Sequence, residues 1–111
     1  AAAAEFRAFD QAAFAAAQAE GRPILVEVFA PWCPTCRAQA PIVRATATDP
    51  AFANMVIFRI DYDHQRAAWR GLNVRRQSTL IAFNGARETS RLVAATDPER
   101  IGALMRSATE R

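Results

Sequence analysis

Apolar positions follow two different spacings along this chain, and the switches between them mark out its elements. Asp10 is placed to cap a helix running to about residue 20, which Gly21 and Pro23 end. "ILVEVFA" (24–30) is a short apolar run rich in β-branched residues with one acid inside it, and reads as a buried strand. A helix is expected over 33–46, with Pro34 tolerated in its first turn and Pro41 as a kink. Asp49-Pro50 predicts a short helical turn, "MVIFRID" (55–61) a second strand, and "HQRAAWRGL" (64–72) a short surface helix that His64 begins. "TLIAF" and "ETSRLV" flank Asn84-Gly85, a hairpin signal. Thr96-Asp97-Pro98-Glu99 combines a cap, a proline and a capping-box acid, and Ile101, Leu104, Met105 and Ala108 then recur at helical spacing.

Strands separated by helices pair in parallel, and a closing hairpin is antiparallel. The expected fold class is therefore α/β, a central mixed β-sheet flanked by helices on both faces. Residues 1–8 are expected to be an N-terminal tail or a short strand, and 9–111 a single domain. There is no internal repeat and no linker.

Composition narrows the function classes. The 111 residues are 51% hydrophobic and 23% charged, the balance of a globular domain with its own core. No apolar run reaches the roughly 18 residues of a membrane span, so a domain that does not span a membrane is expected. The net charge is +3, and all 14 basic residues are arginine. They are spread from Arg7 to Arg111 without forming a basic stripe, so no nucleic-acid partner is expected. The chain opens "AAAAEF" without methionine. Small residues of this kind fit the product of signal-peptide removal, and equally a cloning remnant.

The chemistry is concentrated in "APWCPTCRAQAP" (30–41), which holds both cysteines. A zinc site needs about four ligands. Two cysteines and the distant His64 do not supply them, so no metal or cofactor is expected. A disulfide between Cys33 and Cys36 would close a tiny loop and restrain the unfolded chain little. Where a strand gives way to a helix, however, unsatisfied N–H groups and the positive end of the dipole favour an anion. A thiolate there is the nucleophile of disulfide exchange. On this reading Cys33, at the helix mouth, is the exposed attacker, and Cys36, one turn in, resolves the mixed disulfide. Glu27, inside its apolar strand, should be buried with a raised pKa suited to proton transfer.

From about Phe9 to Met105 the chain resembles the thioredoxin family. The resemblance rests on "ILVEVFAPWCPTC", on Pro41 five residues after Cys36, on "FRIDYD" and on "RQSTLIAFNG". It implies a thioredoxin fold and a thiol–disulfide oxidoreductase without a bound cofactor. Cys33 would be the nucleophile, Cys36 the resolving residue and Glu27 the proton-transfer group, paired with Arg59 where the family has a lysine. Trp32, Pro34, Thr35, Gln77, Ser78 and Thr79 would meet the substrate. Pro41, Arg75 and Arg76 would support the site, the two arginines from its rim, where they would lower the Cys33 pKa and attract acidic partners.

Two departures bear on function. Ser78 stands where the family has a cis-proline, so a trans or strained peptide is expected, with a hydroxyl close to the sulfurs. Pro34-Thr35 replaces the family's Gly-Pro, which bears on redox poise. The partners implied are disulfide- or dithiol-bearing proteins, including an upstream electron donor, and a monomer suffices. A reductant is expected, in the periplasm after export, given the likeness to exported bacterial thioredoxin-like proteins. A cytoplasmic reductase, a disulfide-donating oxidase and a redox-inactive binding module are the alternatives.

Overall fold

The computed structural model describes residues 3–110. Its strands are β1 (Glu5–Ala8), β2 (Pro23–Phe29), β3 (Val56–Asp61), β4 (Thr79–Asn84) and β5 (Arg87–Val93). Its helices are α1 (Gln11–Ala19), α2 (Pro34–Thr46), α3 (Arg66–Gly71) and α4 (Pro98–Ser107), with one 3-10 turn at Pro50–Phe52. The strands form one sheet in the order β1-β3-β2-β4-β5. β1 and β2 run parallel to β3, while β4 is antiparallel to both β2 and β5. Of the two expectations for the opening residues, the strand is the one formed.

Alternation along β2 feeds two separate cores, because successive side chains leave a strand on opposite faces. Ile24, Val26 and Val28 join Phe14, Phe58 and Trp69 beneath α1 and α3. Leu25 joins Val43, Ile57, Leu80, Ile101 and Met105 beneath α2 and α4. Glu27 continues the Leu25 row, so the acid enters the layer that α2 covers. In register it lies between Arg59 of β3 and Leu80 of β4.

Three local expectations are corrected. His64 does not begin a helix: α3 starts at Arg66, and the His64 ring and backbone N–H instead close a turn on the Asp61 carboxylate. Asp97, not Thr96, caps α4 by accepting from the Glu99 N–H, which puts Glu99 one residue too early for a capping box. The hairpin loop is Gly85-Ala86 rather than Asn84-Gly85. Asn84 stays in β4, where its amide donates to the carbonyls of Ala108 and Glu110. Gly85 takes the positive φ, and a Cβ added there would come within 3.2 Å of the Gly21 Cα and 3.3 Å of the Gln18 carbonyl oxygen, crowding the backbone.

Candidate active site

The dithiol sits where β2 hands the chain to α2. Pro34 occupies the first turn, where a missing N–H is harmless, and Cys33 is the N-cap. Its sulfur accepts the Cys36 backbone N–H at 3.2 Å, so the first reactive atom is also a capping group. Pro41, further along, removes the donor that would reach back to Arg37. Cys36, Gln39 and Val43 form the buried face of the helix. Both thiols are free.

The structure corrects the expected exposure of Cys33. The residue is only 2% exposed, packed with Ala30 and Cys36 and flanked by Phe29 and Tyr62. Burial opposes its charged form, yet hydrogen bonds from the Cys36 side chain and N–H, the Gln77 side chain and the Thr35 N–H outweigh it, and the thiol is lowered from its ordinary value. Cys36 goes the other way. Burial first, and then the neighbouring Cys33, push it up to about 11. Its Sγ lies 3.7 Å from the Val28 carbonyl. The causes of the Cys33 shift are hydrogen bonds, not Arg75 and Arg76, which are exposed nearby in sequence to Gln77.

Glu27 is 5% exposed, and Arg59 Nε donates to its Oε1 at 3.3 Å. Burial raises its carboxyl above the usual range, against the opposing pull of Arg59 and, more weakly, Arg44. The Arg59 guanidinium also lies 3.8 Å over the Phe29 ring, a cation–π contact that fixes its direction. Glu27, Phe29, Pro31, Arg44, Ile57 and Arg59 line a cleft of about 680 Å³ that extends to Phe6 and Arg7 of β1. No hydrogen bond joins Glu27 directly to Cys36 among the described residues, and neither cysteine lines that cleft.

The residues expected to meet a substrate divide into two groups. Trp32 is 55% exposed, Pro34 is exposed, and Thr35 and Gln77 are half-buried, so these four form the accessible rim. Ser78 and Thr79 are buried. The Ser78 hydroxyl donates to the Gln77 carbonyl and the Thr79 hydroxyl to the Arg76 carbonyl, so neither side chain is available to a partner. Nor does the Ser78 hydroxyl serve the sulfurs; the Ser78 backbone N–H donates to the Val28 carbonyl at 2.8 Å, the same oxygen that lies 3.7 Å from the Cys36 Sγ. The peptide before Ser78 is trans, and Ser78 itself has φ 60°, a left-handed conformation that costs a non-glycine residue about 1–3 kcal/mol.

Four residues join the site that the sequence pattern did not single out. Asp63 accepts the Trp32 indole N–H at 2.9 Å and holds that ring against the edge of Tyr62, which stacks on Trp69. Arg44 faces Glu27 from α2. Gln39 lies buried beneath the Ser78 turn. A polar residue at i+3 from Cys36, on an otherwise apolar helix face, was the one available signal for Gln39. Asp63 and Tyr62 lie within a recognisable stretch, but nothing local reveals their partners.

A cysteine pair at a helix mouth, one thiol lowered and the other raised, with a buried acid behind it, defines a dithiol redox centre. Comparison with known proteins agrees. The thioredoxin family model matches residues 5–107, and the chain belongs to the thioredoxin family. It is 29% identical to thioredoxin Asp f 29 of Aspergillus fumigatus over 74% of each protein. It is 40% identical to the protein disulfide-isomerase erp38 of Neurospora crassa over 61% of this chain, which is 19% of that larger protein. Among solved structures, Trxlp from Edwardsiella tarda EIB202 superposes with a TM-score of 0.88 at 34% identity, covering 91% of this chain and 98% of that one.

Proposed function

We infer that the chain is a thiol–disulfide oxidoreductase working through Cys33 and Cys36. The observation that carries this reading is the split in acidity across one helical turn, with Cys33 lowered and Cys36 raised to about 11. The Cys33 thiolate attacks one sulfur of a partner disulfide, and the partner's other sulfur leaves as a thiolate. At neutral pH Cys36 keeps its proton and does not react prematurely. Glu27, buried and raised, takes that proton. Cys36 then attacks the Cys33 sulfur and releases the partner's second thiol. Two electrons have passed to the partner, and the chain holds a Cys33–Cys36 disulfide. An upstream dithiol protein must return it to the starting state.

The direction we propose is reduction of partner proteins, supported by the likeness to thioredoxins. One observation favours the opposite direction: hydrogen bonds that stabilise the Cys33 thiolate also stabilise the reduced form, as in disulfide donors. Equilibration in a graded glutathione buffer separates the two. A potential near about −270 mV marks a reductant, and one near about −120 mV marks a donor. The activity itself is tested by thiol-driven reduction of insulin. Acceleration that disappears in Cys33→Ser is expected, and no acceleration by the wild-type chain overturns the reading.

The docking rim we propose is Trp32, Pro34, Thr35 and Gln77, met by a monomer. A periplasmic location is proposed as the expectation that the sequence resemblance raised, with the cytoplasm as the alternative. Fractionation of cells expressing the gene with its natural upstream sequence tests it, and recovery with the cytoplasmic markers overturns it.

A further inference from the structure

On the face of the sheet that α2 and α4 cover, side chains of neighbouring strands stand in rows. Phe6, Ile57 and Leu25 form one row, and Ala8, Arg59 and Glu27 form another. Ile57 and Leu25 are buried in the core beneath the two helices, whereas Phe6, at the β1 edge, is 47% exposed. The helices therefore stop short of β1. The strip of sheet left open is the floor of the cleft of about 680 Å³, a size within the roughly 300–1,000 Å³ of small-molecule sites. The exchange steps draw on Glu27 alone among its lining residues.

The floor is apolar, built from Phe6, Phe29, Pro31 and Ile57. Most of the polar groups around it are already committed. Asp61 accepts the backbone N–H groups of Asp63 and His64 and meets the His64 ring at 2.9 Å. The Gln65 amide donates to the Phe9 carbonyl and accepts the Asp61 N–H. Arg7 borders the cleft, but its guanidinium lies over the ring of Phe58, a residue of the core on the opposite face. Glu27 accepts from Arg59 Nε at 3.3 Å.

What remains open is donors. Arg59 spends Nε on Glu27 and is fixed 3.8 Å over the Phe29 ring, so both of its terminal nitrogens are without a hydrogen bond among the described residues. Arg44, exposed on α2, lines the same cleft and makes no ion pair among the described residues. Planar guanidinium groups match the geometry of a carboxylate, and one already held in place loses little freedom on binding it. An apolar floor beside them suits the hydrocarbon part of the same ligand.

We propose that this cleft binds a small organic acid: Arg44 and Arg59 receive its carboxylate, and its aromatic or alicyclic body lies over Phe6, Phe29 and Ile57. The site stands apart from the exchange reaction, because neither cysteine lines it. A chain with Cys33 and Cys36 both replaced by serine binds the acid as the wild type does.

The probe is cinnamate, and cinnamyl alcohol is its control, with nearly the same shape and no charge. Each is titrated into the wild-type chain and followed by backbone amide NMR shifts. Saturable cinnamate shifts grouped on β1, β3 and Phe29 are expected, half-complete at about 1 mM or below. The alcohol should bind about tenfold more weakly, the worth of one charge-assisted hydrogen bond. Arg44→Gln should narrow that gap between acid and alcohol. Phe6→Ser, at an exposed position, should weaken both by about fivefold and leave the gap as it is.

Equal affinity for acid and alcohol in the wild-type chain overturns the proposal, and this comparison needs no variant to fold. Shifts still unsaturated at about 10 mM, or gathered on Trp32 and Gln77 instead, also overturn it. If cinnamate does not bind but Phe6→Ser raises the KM for insulin, the strip is a contact for partner proteins and the small-acid site is refuted. Cinnamate binding that persists in a chain inactive toward insulin supports the site and defeats only the exchange reading.

Discussion

Cys33 and Cys36 carry the same side chain, and only their surroundings separate them. Cys33 gathers donors at the helix mouth, whereas Cys36 gains little against its burial. In reduced protein, iodoacetamide should therefore label Cys33 with a midpoint below that of an ordinary thiol and leave Cys36 unlabelled through the neutral range; equal labelling of both would contradict the assignment. Glu27 has its own pH signature. Burial, opposed by Arg59 and Arg44, raises its carboxyl, so the folded protein binds that proton more tightly than the unfolded chain does. The associated stability is fully present below the usual carboxylate range and is lost as the pH rises through the raised value. Glu27→Gln has no such loss, so its stability relative to wild type should climb as the pH rises from the usual carboxylate range through the raised value. Urea unfolding at several pH values checks this, and parallel profiles would show that the carboxyl is not perturbed. Both groups were legible in the sequence, because a C-x-x-C after a strand and an acid inside an apolar run are local patterns. Gln39 and Asp63 were not, since their partners lie 39 and 31 residues away and only the folded chain brings them together.

In α2 the reactive atom doubles as a helix cap. Cys33→Ser and Cys33→Ala should be equally inactive, but serine keeps an acceptor for the Cys36 N–H and alanine does not. The alanine variant should be less stable by about 1 kcal/mol in denaturant unfolding. For α4, Asp97→Ala removes a side-chain cap and should cost about 1 kcal/mol, or about 4 °C in the thermal midpoint. Periodicity read most of these elements to within a residue or two, because burial on one face dictates it. It misread the ends that polar side chains decide. The start of α3 depends on His64 turning back to Asp61, and the start of α4 on Asp97 taking the role that Thr96 could have had. The trans left-handed turn at Ser78 was half foreseen: losing the proline pointed to altered backbone, but the sign of φ is set by Gln39, Ala94 and Val28 together.

The sheet divides the molecule into two cores, and the aromatic one beneath α1 and α3 meets the dithiol cluster through Tyr62, which packs against both. Phe58 packs there edge-on to Phe9 and Phe14. Phe58→Ala should cost about 3–5 kcal/mol, a large share of the roughly 5–15 kcal/mol that holds such a domain together. Because Phe58 is not part of the cluster around the cysteines, the Cys33 alkylation midpoint of the folded fraction should stay where it is. A shift there would mean that the two cores are mechanically coupled through β2.

A sulfur that caps a helix makes redox chemistry and folding two sides of one thermodynamic square. Whatever the fold contributes to stabilising the Cys33 thiolate, the thiolate returns to the fold, since linkage is reciprocal. The difference in unfolding free energy between the reduced and oxidised chains therefore equals the difference between the native reduction potential and that of the unfolded dithiol. If the reduced chain melts higher, the fold has made Cys33–Cys36 an oxidant; if the oxidised chain melts higher, it has made a reductant. Two melting curves, recorded without any partner protein, thus read out the direction in which electrons run.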